Sequence, residues 1–484
     1  MAAEPDPGSR RAARLAWLAF AVMLPIVVIF QQMSAHSSTT EPETAAITAP
    51  QGDEVEVAAR LGARAAFSLG QGGGTFQSSV DESAGGSALQ EFRAAISAGE
   101  LVSHANAARR LGAVIADLEN AESTDDTVAA DQRAQLLAAA RLLEDYYRAL
   151  DDAPDAAERL GDDALNGLVE RHGFFGELVR IAPLPQDHEL RTQVLDGALI
   201  PLFIMLIVLV VMGLAILAGL GLGITALVMV ASGSIRMAMP RPKPGGSVYL
   251  ESAVLFVACF AFLQIAQHLA ALLGEQALAI AGLLSLPAQW LLLLVPLWPL
   301  LRGVTWSRLR DDLGLRNPKG VFVEILAGIA GYLALLPLLI AGVALMLVLL
   351  FVQQLIFPSD PDAAGPTNPI LEMIKGLDPV MLVLLFTLAT IWAPLCEELI
   401  FRGALFRHMR ARLALPLAAL LSAMVFGMMH GYAALQLIPV TILGFNFALL
   451  RAWRGSLIGP IVAHALNNAV VLTLLFALAF VLYG

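Results

Sequence analysis

Cysteine is nearly absent: the 484 residues hold two, Cys259 and Cys396, both inside apolar runs. A disulfide framework and a cysteine-ligated zinc site are thereby excluded. Charge is scarce as well, at 15% of residues against 57% hydrophobic. What basic residues there are sit in short stretches beside apolar runs, with no patch of the size a nucleic acid requires. A nucleic-acid partner is excluded. Lysine is missing altogether from residues 34–193, where 27 Asp and Glu outnumber 12 Arg and leave a segment near −15. The remainder is mildly basic, about +4, within an overall −11.

Uninterrupted apolar sequence is plentiful. Several runs of eighteen or more residues carry almost no charge, and each is long enough to cross a bilayer as a helix. The predicted class is all-α: a polytopic helical membrane protein with an extracytoplasmic helical insert, its lipid partner being the bilayer itself.

The first run, "LAWLAFAVMLPIVVIF" (15–30), follows Arg10, Arg11 and Arg14. It exceeds a usual signal core, so residues 1–33 read as an uncleaved N-terminal anchor with a cytoplasmic N-terminus. Residues 34–193 then lie outside the cytoplasm as an acidic, Ala-rich region. Within them "LGQGGGTFQSS" and "ESAGGSA" (69–88) have the composition of linker. The segments after them space apolar residues as amphipathic helices do. His104, His172 and His188 are scattered there and form no catalytic constellation.

Further spans fall near 195–231, 250–273, 278–301, 321–357, 379–407, 414–433, 434–451 and 456–483. Residues 194–378 thus supply accessory transmembrane helices and 379–484 a C-terminal core. Two spans run to about 37 residues, long enough to tilt, to protrude or to break, with Pro337 the candidate break. Treated as single crossings they make nine with the anchor. The basic stretches 235–246, 302–320, 407–412 and 451–454 then share one side, the positive-inside pattern, and the C-terminus lies outside.

Ionisable side chains inside a bilayer are costly, and their presence points to function. The last hundred residues hold Glu397, Glu398, Arg402, His430 and His464, with Asn468 close behind. Glu398 and Arg402, four apart, share a helix face and can pair. Glu397 lies about 100° around the helix and is left free to take a proton from water. His430 and Glu397 are each about 24 Å from the basic turn between them, so a helical hairpin brings them level. His464 and Asn468 share a face at similar depth. A water held between Glu397 and His430 could attack a carbonyl, with His464 and Asn468 donating to the oxyanion. Equally, Glu397, His430 and His464 could bind a divalent metal such as zinc, three ligands plus water. The spacing alone does not choose between a metal and no cofactor.

"EELIFR", "FGMMH" and "HALNN" resemble, in order, the EExxxR, FxxxH and HxxxN motifs of the CAAX prenyl protease and bacteriocin-processing (CPBP, or Abi) intramembrane proteases. "RGSLIGPIVAHALNNAV" resembles the family's third block, and "DLGLR" (312–316) a segment often found upstream. The resemblance covers roughly 380–475. It implies an intramembrane endopeptidase core in 379–484 acting on a peptide or membrane-associated protein. Glu397 and His430 would activate water, Glu398 and Arg402 support them, and His464 and Asn468 stabilise the oxyanion. The rival reading is a non-enzymatic transporter or receptor that binds ions or a solute at the same cluster. A third role is recruitment of a protein partner through residues 34–193.

Overall fold

The computed structural model describes residues 6–37, 54–70, 73–84, 87–120, 127–152, 160–195, 199–317, 319–357 and 379–483. No β-strand occurs among them. In chain order the helices are α1 (Arg10–Ser37), then a group of shorter ones: α2 (Glu54–Leu69), α3 (Gly73–Ser83), α4 (Ala88–Leu101), α5 (His104–Asn120), α6 (Thr127–Asp152), α7 (Asp162–His172), α8 (Phe174–Ile181) and α9 (Glu189–Leu195). Long apolar helices follow: α10 (Leu199–Ala231), α11 (Val248–Leu272) and α12 (Glu275–Leu291), which continues as helical turns to Leu301. After the short α13 (Trp306–Leu313) come α14 (Val321–Ile356), α15 (379–410), α16 (Leu415–Met428), α17 (Leu437–Arg454) and α18 (Ile458–Tyr483). The chain divides into two compact units, residues 41–209 with 478–484, and residues 1–40 with 210–477.

The first unit packs its helices around Phe92, Ile96, Leu111, Tyr147 and Phe175, all but fully buried. Arg191 clamps Glu100 with two short contacts of 2.5 and 2.6 Å. Residues 73–83, expected to be linker, are helix α3 instead. Phe76 and Val80, four residues apart, give it an apolar edge that packs into the core. Gln77 bonds Asp81 and the Ala94 carbonyl, and Arg110 holds Asp81 through both carboxylate oxygens. Composition misled here because four well-placed contacts outweigh the poor helix propensity of glycine and serine. Of the three histidines, His172 packs on Phe92, His104 lies against Tyr147, and His188 is exposed.

Among the described residues eight helices are long and apolar enough to cross a membrane, so the protein is an integral, multi-pass helical membrane protein. Span 414–433 is corrected: α16 has 14 residues, about 21 Å, short of the roughly 30 Å of hydrocarbon. Its helical bonding ends as His430 N–H reaches the Gly427 carbonyl, and the chain turns at Gly431, φ +70°. Nine full spans become eight long helices and one short one. Pro337 breaks nothing, since α14 runs through it for 36 residues.

Helix α15 is the centre of the second unit. Its Trp392, Ile400, Phe401 and Phe406 pack with Phe20 and Val27 of α1, Leu250 and Phe256 of α11, and Phe426 of α16. Tyr332 of α14, Phe447 and Leu450 of α17 and Ala463 of α18 form a smaller cluster. The four basic stretches meet at one end of this unit. Ala238 and Met239 bond the carbonyls of Trp453 and Ala452, Arg412 reaches Gly245, and Arg407 bridges Asp6 and Asp312 at 3.2 and 2.9 Å. Asp312, in the "DLGLR" stretch, also accepts from Tyr249 at 2.6 Å. Glu324 is wholly buried and paired with Arg454 through both oxygens. His408 is fully buried and lies against Trp17. His268 packs on Phe30, and Cys396 fills the core.

Candidate active site

The site begins with a defect in α15. Pro394 has no N–H, so the helix cannot continue with regular bonding beneath it. A π-helical stretch results at Leu388–Trp392, where Ala393 N–H reaches back five residues to the Leu388 carbonyl, and a second π stretch, Glu398–Leu405, follows the proline. The Ala389 carbonyl then faces a used donor at 393 and a proline at 394. Asn468 of α18 supplies the missing bond, its Nδ2 donating to Ala389 O at 2.8 Å. Its Oδ1 accepts from Asn467. Asn468 therefore ties α18 to the π stretch just before Pro394.

Glu398 and Arg402 pair within the second π stretch, Nη1 to Oε1 at 2.8 Å, and neither side chain has exposed surface. Arg402 Nη2 donates to the Gly444 carbonyl, and its guanidinium lies 4.2 Å from the Phe426 ring centre and 5.2 Å from that of Phe447. A side chain at 444 would meet that guanidinium at 3.0 Å, which is why the close approach needs glycine. Three aromatic or backbone partners and one carboxylate thus share the cation's desolvation.

His464 bridges the two glutamates. Its Nδ1 lies 3.0 Å from Glu398 Oε1, and its Nε2 lies 3.9 Å from Glu397 Oε2. The Nδ1 contact has hydrogen-bond length, whereas the Nε2–Oε2 separation is too long for a direct bond. Glu397 Oε2 and Glu398 Oε2 are buried and accept no hydrogen bond from the protein. Phe447 stacks on His464 at 5.1 Å and fixes the ring plane.

His430 enters from the end of α16. Its Nδ1 lies 2.8 Å from the Phe426 carbonyl, which assigns the proton to Nδ1 and leaves Nε2 with its lone pair. The Phe426 ring touches His430 at 4.6 Å and His464 at 5.7 Å, both edge-on. Glu397, Arg402 and His464 all lie within electrostatic reach of His430. The structure therefore brings Arg402, His430 and His464 around one ring, Phe426, joins Glu398 and Glu397 to them through His464, and bonds Asn468 to the Ala389 carbonyl.

Among the described residues no three His, Cys, Asp or Glu side chains converge closely enough as they stand to hold an ion. Sequence reasoning missed Phe447, Gly444 and Trp392, whose buried Nε1 has no partner. Only Pro394, three residues before Glu397, signalled the helix defect.

Residues 379–470 match the Rce1-like family, described as type II CAAX prenyl endopeptidase Rce1-like. A Bacillus subtilis (strain 168) protein named "Putative membrane peptidase YdiL" is 32% identical over 105 residues, 22% of this chain and 41% of that protein. The chain thus spans under half the length of this curated relative. No solved structure matches.

Proposed function

From the Rce1-like match over 379–470, we propose that this segment is the hydrolytic centre of an intramembrane endopeptidase acting on peptides or membrane-associated proteins. The observation that carries the reading is the His464 imidazole set between the Arg402-held Glu398 and the unpaired oxygen of Glu397.

Glu397 takes a proton from water while His430 Nε2 accepts the water's other hydrogen and orients it. The oxygen bonds to the scissile carbonyl carbon, and the carbonyl π pair moves onto its oxygen. Protonated at both nitrogens, His464 gives one N–H to Glu398 and the other to that oxyanion; the second amide N–H of Asn468 adds to it. The proton then passes from Glu397 to the leaving nitrogen as the C–N bond breaks, giving a carboxylic acid and an amine. Glu398 and Arg402 do not meet substrate in this scheme. They hold His464 at its angle.

The meeting of all four basic stretches at one end supports placing that end in the cytoplasm and residues 34–193 outside it. Purified protein in detergent should cleave a membrane-associated polypeptide, and Glu397→Gln and His430→Ala should each lower the rate by about 10³-fold with folding intact. Full activity in either variant would overturn the assignment. Glu397-dependent solute uptake into proteoliposomes without proteolysis would favour a transporter.

A further inference from the structure

His430 ends a helix, and a helix end leaves carbonyls without partners. Phe426 O is satisfied by the His430 ring itself. Met429 O, the carbonyl directly before His430, is satisfied from a distant part of the chain. Gln31 of α1 donates its Nε2–H to it at 2.8 Å, across 398 residues of sequence. The same side chain covers the turn that follows: a Cβ on Gly431 would lie 3.3–3.5 Å from Cβ, Cγ and Cδ of Gln31. Gly431 has φ +70°, so no side chain of its own competes for that space. Gln31 Oε1 is buried there and accepts from no protein group.

Three bonds therefore fix the turn that carries His430: its ring to Phe426 O, its N–H to Gly427 O, and the Gln31 amide to Met429 O, the last alone coming from another helix. Loss of the Gln31 bond leaves the Met429 carbonyl without a donor and loosens the turn that sets the imidazole. Helix α1 lies wholly outside the segment that matches the Rce1-like family. We propose that Gln31 is a positioning residue for His430, supplied to the active site by the N-terminal helix; this rests on the peptidase reading above.

Gln31→Met keeps the volume and removes the donor, and Gln31→Glu keeps the shape with a donor that exists only when the carboxyl is protonated. In the full-length protein Gln31→Met should lower kcat about fivefold to tenfold with KM unchanged, the size expected for one lost hydrogen bond. Gln31→Glu should be as slow at high pH and recover toward wild type as pH falls, a titration the wild type lacks. A residue that merely packs would give neither the split nor the added pH limb. The ¹⁵N resonances of the His430 ring supply a readout that needs no turnover, and Gln31→Met should shift them. If the protein cleaves nothing, the peptidase reading fails, and the shift alone decides whether Gln31 sets the ring. Wild-type kcat in both variants across the pH range, or unmoved His430 resonances, overturns the proposal. Should Gln31→Met fail to fold, Gln31→Glu compared at its two protonation states decides it within a single protein.

Discussion

Among the carboxylate–arginine pairs buried in the membrane unit, Glu324–Arg454 and Glu398–Arg402 are built differently. Glu324 and Arg454 join α14 to α17 through two parallel bonds of 2.8 and 2.9 Å, both carboxylate oxygens spent. Glu398 and Arg402 join through one, and the bonded oxygen is shared with His464 while the other is left open. The first pair is closed and has nothing left to offer. The second keeps acceptor capacity inside the protein, where an unspent lone pair costs energy that a purely structural pair would avoid. That contrast separates a staple from a working part more sharply than burial does, since all four side chains are buried.

Breaking each pair should expose the difference. Arg454→Met strands the Glu324 charge and should cost about 3–5 kcal/mol of folded-state stability. Adding Glu324→Leu should restore most of it, as read by unfolding in mixed micelles. If the double variant is no more stable than the single one, Glu324 and Arg454 do not act as a closed pair. Glu398→Gln keeps the shape, and Arg402 retains the Gly444 carbonyl and its ring neighbours. Its stability cost should be smaller, about 1–3 kcal/mol, while turnover falls about 10²-fold because His464 loses its anionic anchor. Equal losses of stability in the two cases, with activity spared in Glu398→Gln, would erase the distinction.

The smallest effect is expected at a half-buried histidine whose Nδ1 has no hydrogen-bond partner. In the unit of α2–α9, burial against Phe92, with Arg93 and Arg171 nearby, brings His172 down to about 4 from 6.5. The folded state resists protonation that the unfolded chain accepts. Stability contributed at this site is therefore complete above pH 6.5 and lost as pH falls from 6.5 to about 4. Hydrogen exchange over α4 and α7 in the full-length protein should accelerate across that window, and His172→Phe should flatten the change. An acceleration of the same size in the variant would assign it elsewhere.

Much of the site was legible because its parts are local or repeat a spacing. Glu398 and Arg402 are four residues apart and bond in the structure as that spacing implies, even inside a π stretch. The run of apolar residues around each motif announced a membrane helix before any contact was known. What stayed hidden depends on partners far along the chain. Gly444 and Phe447 surround Arg402 from another helix, and Gln31 reaches Met429 from the far end of the sequence. The first π stretch follows from Pro394, yet its Ala389 carbonyl is bonded only because Asn468 arrives from α18. Composition failed outright at residues 73–83, where a glycine- and serine-rich segment folds against a ready-made apolar surface.

The sequence by itself determined that this is a helical membrane protein with an acidic helical insert, because apolar length and charge patterning follow directly from residue order. It also determined which polar residues must face the interior, since lipid tolerates them nowhere else. Only the tertiary structure decided that His464 spans two glutamates, that Glu398 is shared and Glu324 is closed, and that α16 stops short to present His430. Those outcomes turn on distances of a few tenths of an ångström between helices, and the order of residues within any one helix does not contain them.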